Sequence, residues 1–132
     1  MMKVLLVDDE PTTQRLVTAV LNMHGYAVST ANSAQEAIPL LVPDAFDIVV
    51  TDLRMETPLA GFEVVAAAKR LAPRPIIVIL TAFPVPVPDW QNAAGADALC
   101  VKGAGYANLP NQLKDLLQQQ SPAMPLPWAS GE

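Results

Sequence analysis

The fold of this chain is decided by the stretch Phe46-Asp47-Ile48-Val49-Val50-Thr51-Asp52-Leu53-Arg54-Met55. Its apolar, β-branched centre is typical of a strand buried on both faces of a parallel α/β sheet. A second run of this kind, Lys3-Val4-Leu5-Leu6-Val7, is followed by Asp8 and Asp9. Ligand sites in parallel sheets lie beyond the carboxyl ends of the strands. The two runs therefore predict a cation site that contains a nucleophilic carboxylate, Asp52.

The rest of the chain alternates between short apolar runs and segments with helical spacing. Further strands are predicted over 26–31, 75–81 and 98–101, and helices over 11–25, 33–41, 62–71 and from 108–110 onward. This alternation predicts a three-layer α/β fold, a doubly wound five-stranded parallel sheet with the flavodoxin-like order 2-1-3-4-5. In that order, five polar residues at the ends of strands lie along one edge of the sheet: Asp8, Asp9, Asp52, Thr81 and Lys102.

Helical spacing also predicts which side chains face the core. In the first helix these are Leu16, Val17, Val20 and Leu21; in the third they are Phe62, Val65 and Ala66, with Ala68 as a further candidate; in the last they are Leu109, Leu113, Leu116 and Leu117.

Prolines set limits to the regular structure. Pro39 predicts a kink or an early end of the second helix. The alternating prolines of Phe83-Pro84-Val85-Pro86-Val87-Pro88 exclude an ordinary helix and favour polyproline II or an irregular extended loop, with a short helix from Pro88 or Asp89 to Gly95. The last residues are rich in proline, so we predict one domain over 1–120 and a flexible tail over 121–132.

Composition narrows the function classes. The chain has 132 residues, of which 52% are hydrophobic, a formal charge of -5 and one cysteine. This favours one globular domain and argues against direct binding to nucleic acid or to an anionic membrane. Cys100 lies in an apolar strand-like run and is interpreted as a buried, inert thiol. With no signal-peptide pattern and no apolar run long enough to span a bilayer, a soluble, cytoplasmic protein is expected.

Four motifs resemble the receiver domain of two-component response regulators in order and spacing, over nearly the whole chain up to Gln120. They are Val4-Leu5-Leu6-Val7-Asp8-Asp9-Glu10-Pro11, Asp47-Ile48-Val49-Val50-Thr51-Asp52-Leu53-Arg54-Met55, Ile79-Leu80-Thr81-Ala82 and Ala94-Gly95-Ala96-Asp97-Ala98-Leu99-Cys100-Val101-Lys102.

The resemblance implies a phosphoacceptor and a metal site. Asp52 matches the aspartate that accepts a phosphoryl group from a histidine-kinase phosphohistidine. By the same resemblance Asp9 and Asp52 coordinate Mg²⁺ directly, Asp8 helps through water, and the Arg54 backbone carbonyl adds a ligand. Mg²⁺ suits such a set because it prefers hard oxygen ligands.

The resemblance also implies the remaining roles. Lys102 would contact the phosphoryl oxygens, the Thr81 hydroxyl would move to bond the phosphate, and the Ala82 N–H is a further donor. The expected partners are a sensor histidine kinase or a phosphotransfer protein and an unidentified downstream protein, with a homodimer left open. Such a domain is a signalling phosphoacceptor, with self-phosphorylation and self-dephosphorylation only, and not an enzyme acting on an outside substrate.

Each residue also has a purely structural interpretation. Asp8 and Asp9 could cap the first helix, since acids favour helix N-termini. Asp52 alone could end a strand in an Asx-turn, Thr81 could be an ordinary turn hydroxyl, and Lys102 could be a solvated lysine. Their joint placement at matched strand ends favours a shared site.

Several features depart from the receiver pattern. Gly103 stands where receivers usually carry a proline in cis, and a cis bond without proline costs about 2.5–4 kcal/mol more than trans. We therefore expect a trans Lys102–Gly103 bond and a differently shaped loop. Leu99 stands where receivers usually have a Tyr or Phe that swings inward on activation. The loop from Asp52 to Gly61 carries one extra residue, and the proline run precedes a shortened fourth helix.

Two other function classes compete with a phosphorylated switch. Leu99 and Gly103 favour a pseudo-receiver, a protein-binding module that works without phosphorylation, whereas the intact acids, Thr81 and Lys102 argue against it. An aspartate-nucleophile phosphohydrolase is the other class. Such enzymes usually have a second Asp two residues after the nucleophile, and here that position is Arg54, which argues against this class.

Overall fold

The computed structural model of the chain describes residues 2–53, 55–57, 60–82 and 95–120. The strands are β1 (Lys3–Val7), β2 (Ala27–Ala31), β3 (Ile48–Asp52), β4 (Ile76–Thr81) and β5 (Ala98–Val101). The helices are α1 (Pro11–Met23), α2 (Ala34–Ala37), α3 (Ala60–Lys69) and α4 (Leu109–Gln120), with 3₁₀ turns over Ile38–Leu40 and Tyr106–Asn108. None of these helices has the length and apolar composition that crossing a bilayer requires.

The five strands form one parallel sheet in the order β2-β1-β3-β4-β5, so the predicted fold class and strand order are confirmed. β3 lies at the centre, where Val7 pairs with Thr51 and Asp52 pairs with Leu80. Every residue of β3 and β4 is buried, which explains why their sequences are unbroken apolar runs and do not alternate.

Helices cover both faces of the sheet. Leu5 and Val7 of β1 point to the face covered by α2 and α3, while Val4 and Leu6 point to the face covered by α1 and α4. Tyr106, in the turn before α4, belongs to the second of these core clusters. The two clusters together make the three layers that the strand–helix alternation predicts.

Two predicted core positions are wrong. Leu16 of α1 is half exposed, and the buried stripe is instead Thr13, Val17 and Leu21. Ala66 of α3 is exposed, while Val64 is buried. Both errors have the same cause: apolar spacing defines a face about 100° wide, but the tilt of a helix on the sheet decides which edge of that face is covered.

The second helix ends early, as Pro39 predicts. Ser33 is its N-cap, and the Ser33 hydroxyl accepts a hydrogen bond of 3.1 Å from the Glu36 N–H. After Ala37 the chain continues as a 3₁₀ turn that contains Pro39. The proline run, the predicted helix before Gly95 and the C-terminal tail lie outside the described residues, so those predictions stay predictions.

Gly61 marks the closest approach between α3 and the end of β3. Its N–H donates to the Leu53 carbonyl at 2.9 Å, and a methyl group on Gly61 would overlap the Asp52 carbonyl oxygen and the Leu53 Cα. The contact between the start of α3 and the end of β3 is therefore possible only because position 61 has no side chain.

We predict that Gly61→Ala lowers the free energy of unfolding by about 3 kcal/mol, the upper range for overpacking. The control is Gly25→Ala, where φ is +87° and no atom lies within 4 Å of the added methyl. There only the backbone conformation is penalised, by about 1 kcal/mol. Urea unfolding of both variants measures the difference, and equal losses would contradict the steric explanation.

Candidate functional site at the carboxyl edge of the sheet

The site is built where β1, β3, β4 and β5 end together. Asp8 follows β1, and its N–H donates to the Ala31 carbonyl at 3.1 Å. The Gln14 side-chain amide of α1 donates to the Asp8 carbonyl at 2.6 Å and to Asn32 Oδ1 at 2.8 Å. On the other side, the Lys102 N–H donates to the Thr81 carbonyl at 2.7 Å. Backbone hydrogen bonds thus hold the strand ends in place before any side chain is considered.

Three carboxylates meet at this edge. Asp8, Asp9 and Asp52 each have an oxygen within 4.8 Å of the others. Asp8 is fully buried and Asp52 is nearly so, whereas Asp9 is exposed. Asp52 Oδ1 accepts the Leu53 N–H at 2.8 Å, and Asp8 Oδ1 accepts the Glu10 N–H at 2.8 Å. Each of these two aspartates therefore keeps its other oxygen, Oδ2, directed to the cluster.

Lys102 lies among these acids. Its Nζ is 2.9 Å from Asp8 Oδ2, 3.0 Å from Asp52 Oδ2 and 2.7 Å from Glu10 Oε1. Burial acts to lower the pKa of this ammonium, but the hydrogen bonds with the three carboxylates outweigh it and raise the pKa above its usual range. Lys102 is therefore a cation at neutral pH that donates hydrogen bonds to Glu10 and Asp52 and forms an ion pair with Asp8.

The single ammonium of Lys102 does not balance the negative charges of the carboxylates around it. Burial raises the pKa of Asp8, and the Glu10 N–H and Lys102 only partly offset that effect. Asp8 Oδ2 is buried and, apart from the Lys102 ion pair, has no hydrogen bond of good geometry. A buried oxygen of this kind, in a set of hard carboxylate ligands, fits a divalent cation such as Mg²⁺. The residues present could therefore hold the metal ion that the sequence predicts.

The other predicted site residues are placed as follows. Thr81, the last residue of β4, is buried, and Ala82 directly after it is exposed. Arg54, the predicted carbonyl ligand, lies outside the described residues. The structure thus brings Asp8, Asp9, Asp52 and Lys102 into one cluster and places Thr81 at the neighbouring strand end.

The loop after Lys102 has the predicted trans bond. Among the described residues the cis peptide bond is Ala72–Pro73, so Lys102–Gly103 is trans. Gly103 has φ of +83°, a conformation that residues with a side chain rarely adopt. A left-handed glycine therefore redirects the chain at the position where the sequence departs from the receiver pattern.

Two acids escaped prediction as parts of the site. Glu10 was interpreted only as the residue before α1. It is an ion-pair partner of Lys102, and this pairing lowers the pKa of Glu10. Glu56, in the loop after β3, was assigned no role. Its Oε1 accepts the Ala34 N–H at 3.0 Å and its Oε2 accepts the Gln35 N–H at 2.9 Å. Glu56 thereby attaches the loop that follows Asp52 to the start of α2.

We predict that Glu56→Ala lowers the free energy of unfolding by about 1 kcal/mol at neutral pH, the usual contribution of a helix N-cap. Burial acts to raise the Glu56 pKa, but the hydrogen bonds from Gln35 and Ala34 lower it overall. The contribution is therefore complete above the ordinary value of 4.5 and disappears as pH falls through the lowered pKa of the folded state.

Urea unfolding at neutral pH and below pH 4.5 measures this contribution. The control is the same substitution at Glu63, which is exposed on α3. A loss for Glu56→Ala that matches the loss for Glu63→Ala at neutral pH would show that the loop is not attached in this way.

Comparison with known proteins agrees with this geometry. The sequence model described as "Response regulator receiver domain" matches residues 4–114. The transcriptional regulatory protein GlrR of Escherichia coli is 32% identical over 126 residues, which are 94% of this chain and 28% of that protein. This chain thus spans less than a third of the length of that relative.

Solved structures show the same fold. The chemotaxis response regulator CheY4 of Vibrio cholerae is similar with a TM-score of 0.75 and 31% identity, covering 89% of this chain and 99% of that one. The response regulator TrrA of Thermotoga maritima in complex with Mg²⁺-BeF gives a TM-score of 0.71 and 29% identity, covering 89% and 100%. TrrA in complex with the histidine kinase ThkA gives a TM-score of 0.75 and 31% identity, covering 89% of this chain and 99% of that one.

Proposed function

The chain belongs to the response regulator receiver domain family, and from this premise we propose that Asp52 accepts a phosphoryl group from a histidine kinase or a phosphotransfer protein. One observation carries the proposal: the nearly buried Asp52 keeps Oδ2 3.0 Å from the Lys102 ammonium, beside Asp8 and Asp9. An oxygen held next to a cation and a metal-binding acid pair is placed for attack on a phosphoryl group.

The proposed step is an in-line displacement. An Asp52 oxygen attacks phosphorus, the new P–O bond forms as the P–N bond of the donor phosphohistidine breaks, and the electron pair of that bond stays on the imidazole nitrogen. A carboxylate is ionised at neutral pH, so it needs positioning and charge neutralisation but no general base. Attack of water on the acyl phosphate later releases inorganic phosphate and restores the Asp52 carboxylate.

The acid pair and Lys102 provide that neutralisation. Mg²⁺, when bound, would neutralise the charge on the phosphoryl oxygens. Asp9 and Asp52 would hold the ion directly, Asp8 through water, and the Arg54 backbone carbonyl as a further ligand. The structure of TrrA with Mg²⁺-BeF supports this assignment by similarity.

The remaining contacts are made by Lys102, Thr81 and Ala82. Lys102 would bind a phosphoryl oxygen as a point charge, the Thr81 hydroxyl would donate to a second oxygen, and the Ala82 N–H would supply another donor. Because these residues end β4 and begin the loop after β5, their movement toward the phosphoryl group would alter the surface around those loops.

The output of this switch is a change in what the surface binds. GlrR is named a transcriptional regulatory protein, and this chain covers 28% of its length, so a DNA-binding or other effector activity would belong to a partner or to an attached domain. The complex of TrrA with ThkA supports a histidine kinase as the upstream partner. A pseudo-receiver is the second candidate, and Leu99 and the left-handed Gly103 favour it.

The first test is intact mass after incubation with Mg²⁺ and acetyl phosphate. We expect an adduct of one phosphoryl group on the native chain, because Asp52 Oδ2 lies 3.0 Å from the Lys102 ammonium beside Asp8 and Asp9. Asp52→Asn should abolish the adduct, whereas Asp115→Asn, an exposed aspartate on α4, should form it at the native rate. Removal of Mg²⁺ with EDTA should slow the reaction at least tenfold.

A purified histidine kinase with its phosphohistidine serves as the second donor in the same assay. No adduct from either donor, with native circular dichroism, would exclude the phosphorylated switch and favour the pseudo-receiver. An adduct on Asp52→Asn would instead move the phosphoacceptor to another residue.

Leu99 leads to a separate prediction about the response. Leu99 is an aliphatic residue of β5 with no ring to rearrange, and its side chain packs on the face of the sheet that α2 and α3 cover, so phosphorylation should leave that packing nearly unchanged. Amide NMR spectra with Mg²⁺ and beryllofluoride should show shifts at Asp52, Thr81 and Lys102 that are several times larger than the Leu99 shift. A Leu99 shift as large as that of Thr81 would contradict this prediction.

A further inference from the structure

Lys102 has a connection to the core that is separate from the phosphoryl site. Its partner Glu10 also accepts a hydrogen bond from the Thr13 hydroxyl at 3.1 Å. The Tyr106 hydroxyl donates in turn to Thr13 Oγ1 at 3.4 Å. We propose, on the basis of the phosphorylation proposed above, that Glu10, Thr13 and Tyr106 relay the phosphorylation state of Asp52 to the start of α4. The three residues are called the Tyr106 relay.

The first step is the release of Glu10 by Lys102. When Asp52 is free, the ammonium donates hydrogen bonds to Glu10 and Asp52 and forms an ion pair with Asp8. A phosphoryl group adds about 1.5–2 negative charges at Asp52 and attracts Lys102, while it repels the carboxylate of Glu10. Lys102 must therefore turn toward the phosphoryl oxygens, and it gives up a partner to do so.

Exposure decides which partner is given up. The Asp8 side chain is 0% exposed, so it cannot replace Lys102 with water, whereas the Glu10 side chain is 60% exposed. A carboxylate released into water regains its hydration at little cost, and a buried one does not. Glu10 is thus the partner that leaves, and Asp8 keeps its contact or exchanges it for the metal ion.

The second step passes from Glu10 to Thr13. The Thr13 hydroxyl is buried and donates to Glu10, so when Glu10 moves into solvent the hydroxyl loses its acceptor. A buried hydroxyl without an acceptor is unfavourable, so the Thr13 hydroxyl rotates away from its present orientation toward another acceptor. That rotation redirects the lone pairs to which Tyr106 donates.

The third step reaches the packing of α4. Tyr106 is buried in the core cluster between α1 and α4 and is the first residue of the 3₁₀ turn that leads into α4. A buried phenol needs a partner for its hydroxyl, so its ring follows the Thr13 oxygen. The turn rests directly on β5, because the Gly105 N–H donates to the Val101 carbonyl at 2.9 Å. A ring movement therefore displaces the start of α4.

The chain also offers a competing route along the backbone. Only Gly103, Ala104 and Gly105 separate Lys102 from Tyr106, so a movement of Lys102 could reach the ring without Glu10 or Thr13. The experiment must therefore distinguish the side-chain relay from this short loop.

The test uses NMR of the tyrosine rings in the full chain, labelled with ¹³C tyrosine. The chain has two tyrosines, Tyr26 and Tyr106. Tyr26 lies just before β2, the outer strand on the side of the sheet opposite β5, and serves as an internal reference. Ring shifts are recorded with Mg²⁺ before and after acetyl phosphate. Intact mass of the same sample gives the phosphorylated fraction, to which each shift is normalised.

We expect a Tyr106 shift in the native chain and none at Tyr26. Glu10→Gln and Thr13→Val should each reduce the normalised Tyr106 shift at least twofold, because the first removes the charge that pairs with Lys102 and is repelled by the phosphoryl group, and the second removes the hydroxyl. Thr13→Ser, which keeps the hydroxyl, and Thr12→Val, at the exposed neighbouring threonine, should both keep the full shift.

Each other outcome has a definite meaning. A full Tyr106 shift in Thr13→Val or in Glu10→Gln shows transmission through the backbone loop and overturns the relay. A complete adduct with no Tyr106 shift in the native chain overturns the relay but leaves the phosphoacceptor role intact. No adduct in the native chain from either acetyl phosphate or the phosphorylated histidine kinase overturns both.

Discussion

The ammonium of Lys102 holds the carboxyl edge of this sheet together. Parallel pairing of β1 with β3 forces Asp8 and Asp52 to the same edge, where their charges would repel each other in a poorly hydrated site. Lys102 lies within 3.0 Å of both, and its own pKa is raised in return. The placement of the Asp8, Asp52 and Glu10 carboxylates around one point depends on this cation.

The edge of the sheet responds to a change of charge at Asp52 because one cation, Lys102, lies among four acids. Lys102 satisfies one oxygen each of Asp8, Glu10 and Asp52, while Asp9 stays in water. Such a cluster could hold a divalent ion, and any group that adds or removes charge at Asp52 changes how the ammonium is shared. The like-charged carboxylates that destabilise this edge are thus the same groups that the receiver family uses for signalling.

The surroundings of the cluster explain how this chain can depart from the family pattern without losing the site. Gly103 adopts a left-handed conformation and replaces a cis proline with a trans turn. Glu56 attaches the loop after β3 to the start of α2, and Gly61 allows α3 to approach the end of β3. All three features redirect loops, while the strand ends that carry the acids keep their register.

The amino-acid pattern was enough to predict the sheet, its order and the meeting of Asp8, Asp9, Asp52 and Lys102, because polar residues that end buried parallel strands are forced to one edge. It also predicted the early end of α2 and the trans bond at Gly103. The exposure of Leu16 came only from the assembled fold, since helix tilt is not encoded in spacing. The contacts of Glu10, Glu56 and Tyr106 could not be predicted from the pattern either. Their partners lie 92, 22 and 93 residues away, and such pairs meet only after the strands and loops are assembled.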